Sequence, residues 1–106
     1  MNTELAVQQL AALAQSTRLA IYRLLVVAGE HGLQPNELAE SLQLANATLS
    51  FHLKNLQHAD LISVEQQGRC LRYRANYPVM NQLIGFLTEN CCQGQVCDLD
   101  LKIRCC

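Results

Sequence analysis

Apolar positions repeat at helical spacing over most of the chain. Ala6, Leu10, Leu13 and Ala14 fit the i, i+4, i+7, i+8 template of a helix face, with Thr3 a good N-cap ahead of them. Gln15-Ser16-Thr17 break the pattern, and Ser16 or Thr17 is placed to cap a second helix. There Ile21, Leu24, Leu25 and Ala28 share one face, and Gly29 stands where a C′ glycine belongs. After a turn at His31-Gly32, Pro35 opens a short third helix with Glu37 in its first turn and Leu38, Ala39 and Leu42 inward. Leu44-Ala45 form a tight turn. Asn46 can cap a fourth helix running to about Ala59, with Leu49, Leu53 and Leu56 on its inner face. Two helices joined by such a short turn have the spacing of a helix-turn-helix unit.

The period then falls to two. Ile62 and Val64 alternate with Ser63 and Glu65, Gln66-Gln67-Gly68-Arg69 form a turn, and Leu71, Tyr73 and Ala75 alternate with Cys70, Arg72 and Arg74. This predicts a β-hairpin with one polar face. Asn76 to Pro78 open a fifth helix carrying Val79, Leu83, Phe86 and Leu87 and ending near Asn90. From Cys91 to Cys106 no helical period remains, and a loop is expected. The fold class is therefore mainly α with a β-hairpin wing, an α+β winged helix-turn-helix.

Composition narrows the function. The chain has 106 residues, half of them apolar and 16% charged. That supports one core, and no stretch joins low hydrophobicity to high charge as a disordered chain does. We expect one domain at 1–90 and a cysteine-rich tail at 91–106 that is not a separate domain. The longest apolar run, Leu24 to Ala28, is far short of the roughly 20 residues of a membrane span, so no membrane partner is expected. The N-terminus lacks the basic and hydrophobic stretches of an export signal, which predicts a cytoplasmic protein. No Ser/His/Asp set, glycine-rich phosphate loop or carboxylate pair appears. No catalytic residues are nominated, and the chain is not expected to be an enzyme.

Net charge is −1, but its distribution is uneven. Between residues 44 and 74, Lys54, Arg69, Arg72 and Arg74 outnumber Asp60 and Glu65. A hairpin beside a helix-turn-helix has a mechanical use: the second helix enters the major groove of duplex DNA while the hairpin tip reaches a flanking phosphate or the minor groove. The outer face of the fourth helix carries suitable groups. Asn46, Thr48, Ser50 and Asn55 can read base edges, Ala47 or Phe51 can touch a thymine methyl, and Lys54 can hold a phosphate or guanine. Phe51 is a large apolar group placed away from the core, which calls for a partner. Arg69 and Arg72 extend the candidate interface onto the wing. His52 borders the core and is expected to pack and hydrogen-bond rather than to bind a ligand.

Leu13-Ala14-Gln15-Ser16-Thr17-Arg18-Leu19-Ala20-Ile21, Glu37-Leu38-Ala39-Glu40 and Ser50-Phe51-His52-Leu53-Lys54-Asn55-Leu56-Gln57-His58-Ala59 together resemble the ArsR/SmtB family of bacterial winged-helix metalloregulators. The resemblance covers residues 5–90. It implies a homodimeric transcriptional repressor whose first and last helices form the dimer interface, and an inducer that loosens its hold on operator DNA. There are departures. Asp60 replaces the glycine that many members carry after the recognition helix. The third helix has none of the cysteines of one type of arsenic sensor, and the fifth lacks the His/Asp pairs of zinc-sensing relatives. Any sensing must therefore lie elsewhere.

Six cysteines are present, five of them in the last 16 residues. So placed they cannot staple a core, and without an export signal they are expected to be reduced and available as ligands. Cys91, Cys92 and Cys97 can converge because Gly94 lets the chain fold back. Trivalent arsenic or antimony bonds three sulfurs as a pyramid, whereas zinc wants four ligands. Three close cysteines thus nominate As(III) or Sb(III) as inducer, with no organic cofactor, and the pattern resembles the arsenic-responsive subgroup with cysteines beyond the last helix. Cys105 and Cys106 could add ligands, which reopens zinc or copper(I). Two other readings remain open: a redox-sensing regulator of the same fold, and a thiol redox or metal-carrier protein that does not bind DNA. Against the last, the cysteine pair follows a helix C-terminus, where the dipole raises a thiol pKa.

Overall fold

The computed structural model describes residues 1–94. Five helices and one hairpin follow in order: α1 (Thr3–Leu13), α2 (Ser16–Ala28), α3 (Pro35–Leu42), α4 (Asn46–His58), β1 (Ile62–Gln67), β2 (Cys70–Ala75) and α5 (Tyr77–Leu87), with 3₁₀ turns at Gly29–His31 and Cys91–Gly94. The winged helix-turn-helix expected from the periodicity is the observed architecture. Differences lie at the element ends. Asn2 rather than Thr3 caps α1, its side chain accepting from the Leu5 N–H at 2.8 Å. Gln15 caps α2 in place of Ser16 or Thr17, its side-chain oxygen accepting from the Arg18 N–H at 2.8 Å. Ala45 precedes α4, and Asn46 is its first helical residue. An amide side chain can reach the orphan donors of a first turn from one residue further out than the hydroxyls expected there. α5 stops at Leu87 rather than near Asn90, and the first tail residues form a 3₁₀ turn instead of a loop.

The core gathers around α2. Ile21, Leu25, Leu38, Leu49 and Leu56 are fully buried, as is Leu61 just after α4. Leu49, Leu53 and Leu56 line the inward face of α4 as their spacing predicts, and Leu38 anchors α3. α2 buries Tyr22 along with Ile21 and Leu25, while Leu24 is only half-buried. α1 departs furthest from expectation. It buries Ala6 and the polar Gln9, whereas Val7 and Leu10 face outward. The Gln9 amide is half satisfied there: Nε2 donates to the Ala59 carbonyl at 3.4 Å, while Oε1 is buried with no hydrogen-bond partner among the described residues.

The end of α4 and the hairpin are fixed by backbone geometry at three points. Asp60 adopts a left-handed φ of 62°, and the Asp60 and Leu61 N–H groups bond back to the carbonyls of Gln57 and Leu56. That is a Schellman ending, with an aspartate in the place usually given to glycine. The hairpin pairs Ile62 with Ala75 through Gln67 with Cys70, leaving a two-residue tip at Gly68-Arg69 with Gly68 at φ 63°. Leu33 then exchanges two hydrogen bonds with Tyr73, of 2.9 and 2.8 Å, and so ties β2 to the segment before α3. Gly32 makes this possible: a Cβ there would lie 2.5 Å from the Tyr73 carbonyl oxygen, and its φ is 66°.

Candidate nucleic-acid interface

The turn between α3 and α4 aims the outer face of α4 away from the core. Asn46, Ala47, Thr48, Ser50, Phe51 and Lys54 are all exposed, Phe51 to 62% of its surface. Asn55 is half-buried, and its amide donates back to the Phe51 carbonyl at 3.0 Å, so it stiffens the helix as well as bordering the face. The Phe51 ring meets His52 edge-on, with centroids 5.4 Å apart. A large aromatic ring turned mostly to solvent on a polar helix face is a candidate contact group.

The wing completes the face. A cleft of about 420 Å³ lies between the starts of α3 and α4 and the hairpin tip, and it is lined by Asn46, Ser50 and Arg69 together with Pro35, Cys70 and Leu71. Asn46 and Ser50, one turn apart on α4, thus share one concave surface with Arg69 of the wing. Two helices begin there, and their first-turn N–H groups add positive potential to that of Arg69.

The wing arginines have different duties. Arg74 donates to the Glu65 carboxylate and to the Glu30 carbonyl, both at 2.7 Å. The hydrogen bond and charge of Arg74 hold the Glu65 carboxyl below its ordinary pKa. Arg72, nominated for DNA, donates to Gln67 Oε1 at 3.0 Å and to the His31 carbonyl at 2.9 Å. Both therefore brace the hairpin against the body. Arg69 and Lys54 make no hydrogen bond or ion pair among the described residues, which leaves their charges for an external partner.

His52 is buried, with 9% of its surface exposed, and meets Arg18 at 3.3 Å through Nδ1, in keeping with a packing role. Burial first, and the Arg18 charge second, lower its pKa. No local pattern in the sequence signals this Arg18–His52 contact or the Gln9 bond to Ala59.

Of the nominated thiols, Cys91 sits shortly past the end of α5, at the start of a 3₁₀ turn. The side chain of Cys92, and Cys97, Cys105 and Cys106 entirely, lie outside the described residues. Cys70 is a free thiol, exposed at the start of β2. Among the described residues no three His, Cys, Asp or Glu side chains stand close enough to hold a metal ion.

The helix-turn-helix domain family matches residues 13–65, half of the chain. No curated protein matches it. Several solved structures do. An ArsR-like transcriptional regulator from Rhodococcus sp. RHA1 aligns with a TM-score of 0.71 and 26% identity, covering 86% of this chain and 83% of the other. HlyU from Vibrio cholerae aligns at 0.66 with 27% identity, covering 88% and 100%. A possible transcriptional regulator for arsenical resistance aligns at 0.66 with 30% identity, covering 76% and 80%.

Proposed function

The chain belongs to the helix-turn-helix domain family and is a transcriptional regulator of the ArsR winged-helix type, and from that premise we propose a dimeric repressor released from operator DNA by chemistry at its C-terminal thiols. The observation that carries the DNA half is the shared surface of Asn46, Ser50 and Arg69, flanked by exposed Phe51 and Lys54. It joins one helix face to a hairpin tip, its loose charges are positive, and its one large exposed aromatic group suits a thymine methyl. Arg72 contributes by holding the wing, and Arg69 by touching phosphate.

The dimer half rests on exposed apolar groups on the outer helices: Val7 and Leu10 on α1, and Ile84 and Leu87 on α5. The thiols follow α5 directly. In the reduced chain Cys91, Cys92 and Cys97 would supply three soft sulfur donors to trivalent arsenic or antimony, with Cys105 and Cys106 as further donors. Closing such a loop shifts the end of α5, and with it the spacing of two reading heads. A coupling of about 1–3 kcal/mol is enough for a switch. A second reading, release by thiol oxidation, uses the same cluster of C-terminal thiols.

The test uses the duplex that the wild-type protein enriches from a randomised pool. Lys54→Ala and Arg69→Ala should each weaken binding, and each lost phosphate contact should reduce the salt slope by about one unit. Arsenite, zinc and peroxide are then added separately to the complex. Release by arsenite, lost on Ser replacement of Cys91, Cys92 or Cys97, supports the metalloid reading. Release by peroxide alone supports the redox reading, and release by none rejects thiol control.

A further inference from the structure

The first turn of α2 lies at the meeting point of three helices. Arg18 reaches out of it in two directions. Its Nε donates to the Ala12 carbonyl at 2.6 Å, at the C-terminal end of α1. Its Nη1 meets His52 Nδ1 at 3.3 Å, in the middle of α4. A guanidinium can only donate, so Nδ1 is the acceptor and the imidazole is neutral, with its proton on Nε2. Burial and the adjacent positive charge both favour that neutral form. The Arg18 backbone is itself fixed by the Gln15 cap. The contact continues outward, because the His52 ring packs edge-on against the Phe51 ring, which points to solvent from the reading face.

From this chain of contacts we infer that Arg18 is a positioning residue for DNA reading: it locks the end of α1 to His52 of α4, and through His52 it sets the direction of Phe51. The inference rests on the DNA-binding reading of α4 given above. Three features of Arg18 point to positioning rather than to contact with DNA. Arg18 is half-buried, its fork is already engaged by two protein acceptors, and it lies on a different helix from the exposed groups of α4. A second bond, from Gln9 Nε2 to the Ala59 carbonyl, ties α1 to the far end of α4. α1 is therefore tied to α4 at two places, directly through Gln9 and through Arg18 of α2, and the Arg18 bridge is the one that lies beneath the reading residues. Because α1 also exposes Val7 and Leu10, the same arrangement fixes α4 relative to the face that a second protomer would cover.

The test again uses the duplex enriched by the wild-type protein, at a temperature where circular dichroism shows every variant folded. Arg18→Met keeps the length of the stem but removes the donors. His52→Leu removes the acceptor, and His52→Asn keeps one, since Asn Oδ1 occupies nearly the place of Nδ1. Arg18→Met and His52→Leu should each weaken binding by about tenfold or more, the scale of a lost charged hydrogen bond. The double variant should be no weaker than about threefold below the weaker single, because both remove one shared contact. His52→Asn should bind within about threefold of wild type, a rescue that a merely space-filling role would not give. The slope of log affinity against log salt should be unchanged in Arg18→Met. A slope smaller by about one unit would make Arg18 a direct phosphate contact and overturn the inference. Wild-type affinity in Arg18→Met, or equal weakness of His52→Asn and His52→Leu, would also overturn it. If Arg18→Met does not fold, the two His52 variants decide the matter by themselves. Failure of the wild-type protein to enrich any duplex would reject the DNA-binding reading itself, and this inference with it.

Discussion

α4 and α5 are both amphipathic, yet they use their apolar residues in opposite ways. α4 is the more polar helix, and it buries Leu49, His52, Leu53 and Leu56. α5 reads Tyr-Pro-Val-Met-Asn-Gln-Leu-Ile-Gly-Phe-Leu, and only Leu83 is buried, while Ile84 and Leu87 stay exposed. Apolarity of a helix therefore does not set its burial. Burial follows the presence of a facing surface. α4 finds one in α2 and α3, whereas α5 and the outer side of α1 present groups that no described residue covers. A globular fold rarely leaves several such groups open without use. The one large apolar group that α4 itself exposes, Phe51, lies on the side proposed to meet DNA.

The largest effect should come from charging the outer face of α5. Ile84→Glu with Leu87→Glu would place carboxylates where the proposed dimer needs apolar contact, and should weaken self-association by more than about a thousandfold, measured by sedimentation. Unchanged association would show that α5 is exposed for another reason. Next, Leu56→Ala should cost about 2–5 kcal/mol in denaturant unfolding because it empties a fully buried site. Leu87→Ala, studied at a concentration where the protein is monomeric, should stay within about 0.5 kcal/mol. Equal costs would erase the contrast between the two helices. Phe51→Ala should leave stability within about 0.5 kcal/mol and weaken binding to the enriched duplex by about tenfold. A stability loss with intact DNA binding would assign Phe51 to packing.

The smallest effect belongs to His52. Its folded pKa lies below the ordinary 6.5, from burial first and Arg18 second. The unfolded chain therefore takes up a proton here before the folded chain does. The contribution is fully present above the unfolded value, begins to be lost as pH falls past about 6.5, and is gone once pH has fallen through the folded pKa. Thermal midpoints at about pH 7.5 and 5.5 should fall less in His52→Asn than in wild type. An identical fall in both would place the pH dependence on other groups.

Much of the proposed reading face is legible in residue spacing alone. The Leu49–Leu53–Leu56 spacing fixes the buried side of α4, and so places Ala47, Ser50, Phe51 and Lys54 on the other. Alternation from Ile62 to Ala75 gives the wing and its polar side. The separate duties of the wing arginines are not legible in this way. Arg72 and Arg74 are engaged by carbonyls of His31 and Glu30, 41 and 44 residues away, and charge counting treats all three arginines alike. The helix caps differ from expectation by a residue. Residue type favours Thr, Ser and Asn at those positions over the amide of Gln15, whose reach depends on its rotamer.

The sequence by itself determined the order and kind of the elements, the inward face of α4 and the clustering of thiols at the C-terminal end. These follow from local spacing, and periodicity and turn chemistry act within a few residues. Only the tertiary structure decided that α1 turns Gln9 inward and Leu10 outward, that Leu33 docks on Tyr73, and that Arg18 joins α1 to His52. Each depends on a partner between 34 and 50 residues away in sequence, or, for Leu10, on the absence of one among the described residues. A polar side chain is buried when a distant carbonyl or imidazole meets it, and an apolar one stays exposed when nothing does. Spacing shows that a helix has two faces, but only packing determines which of them is covered.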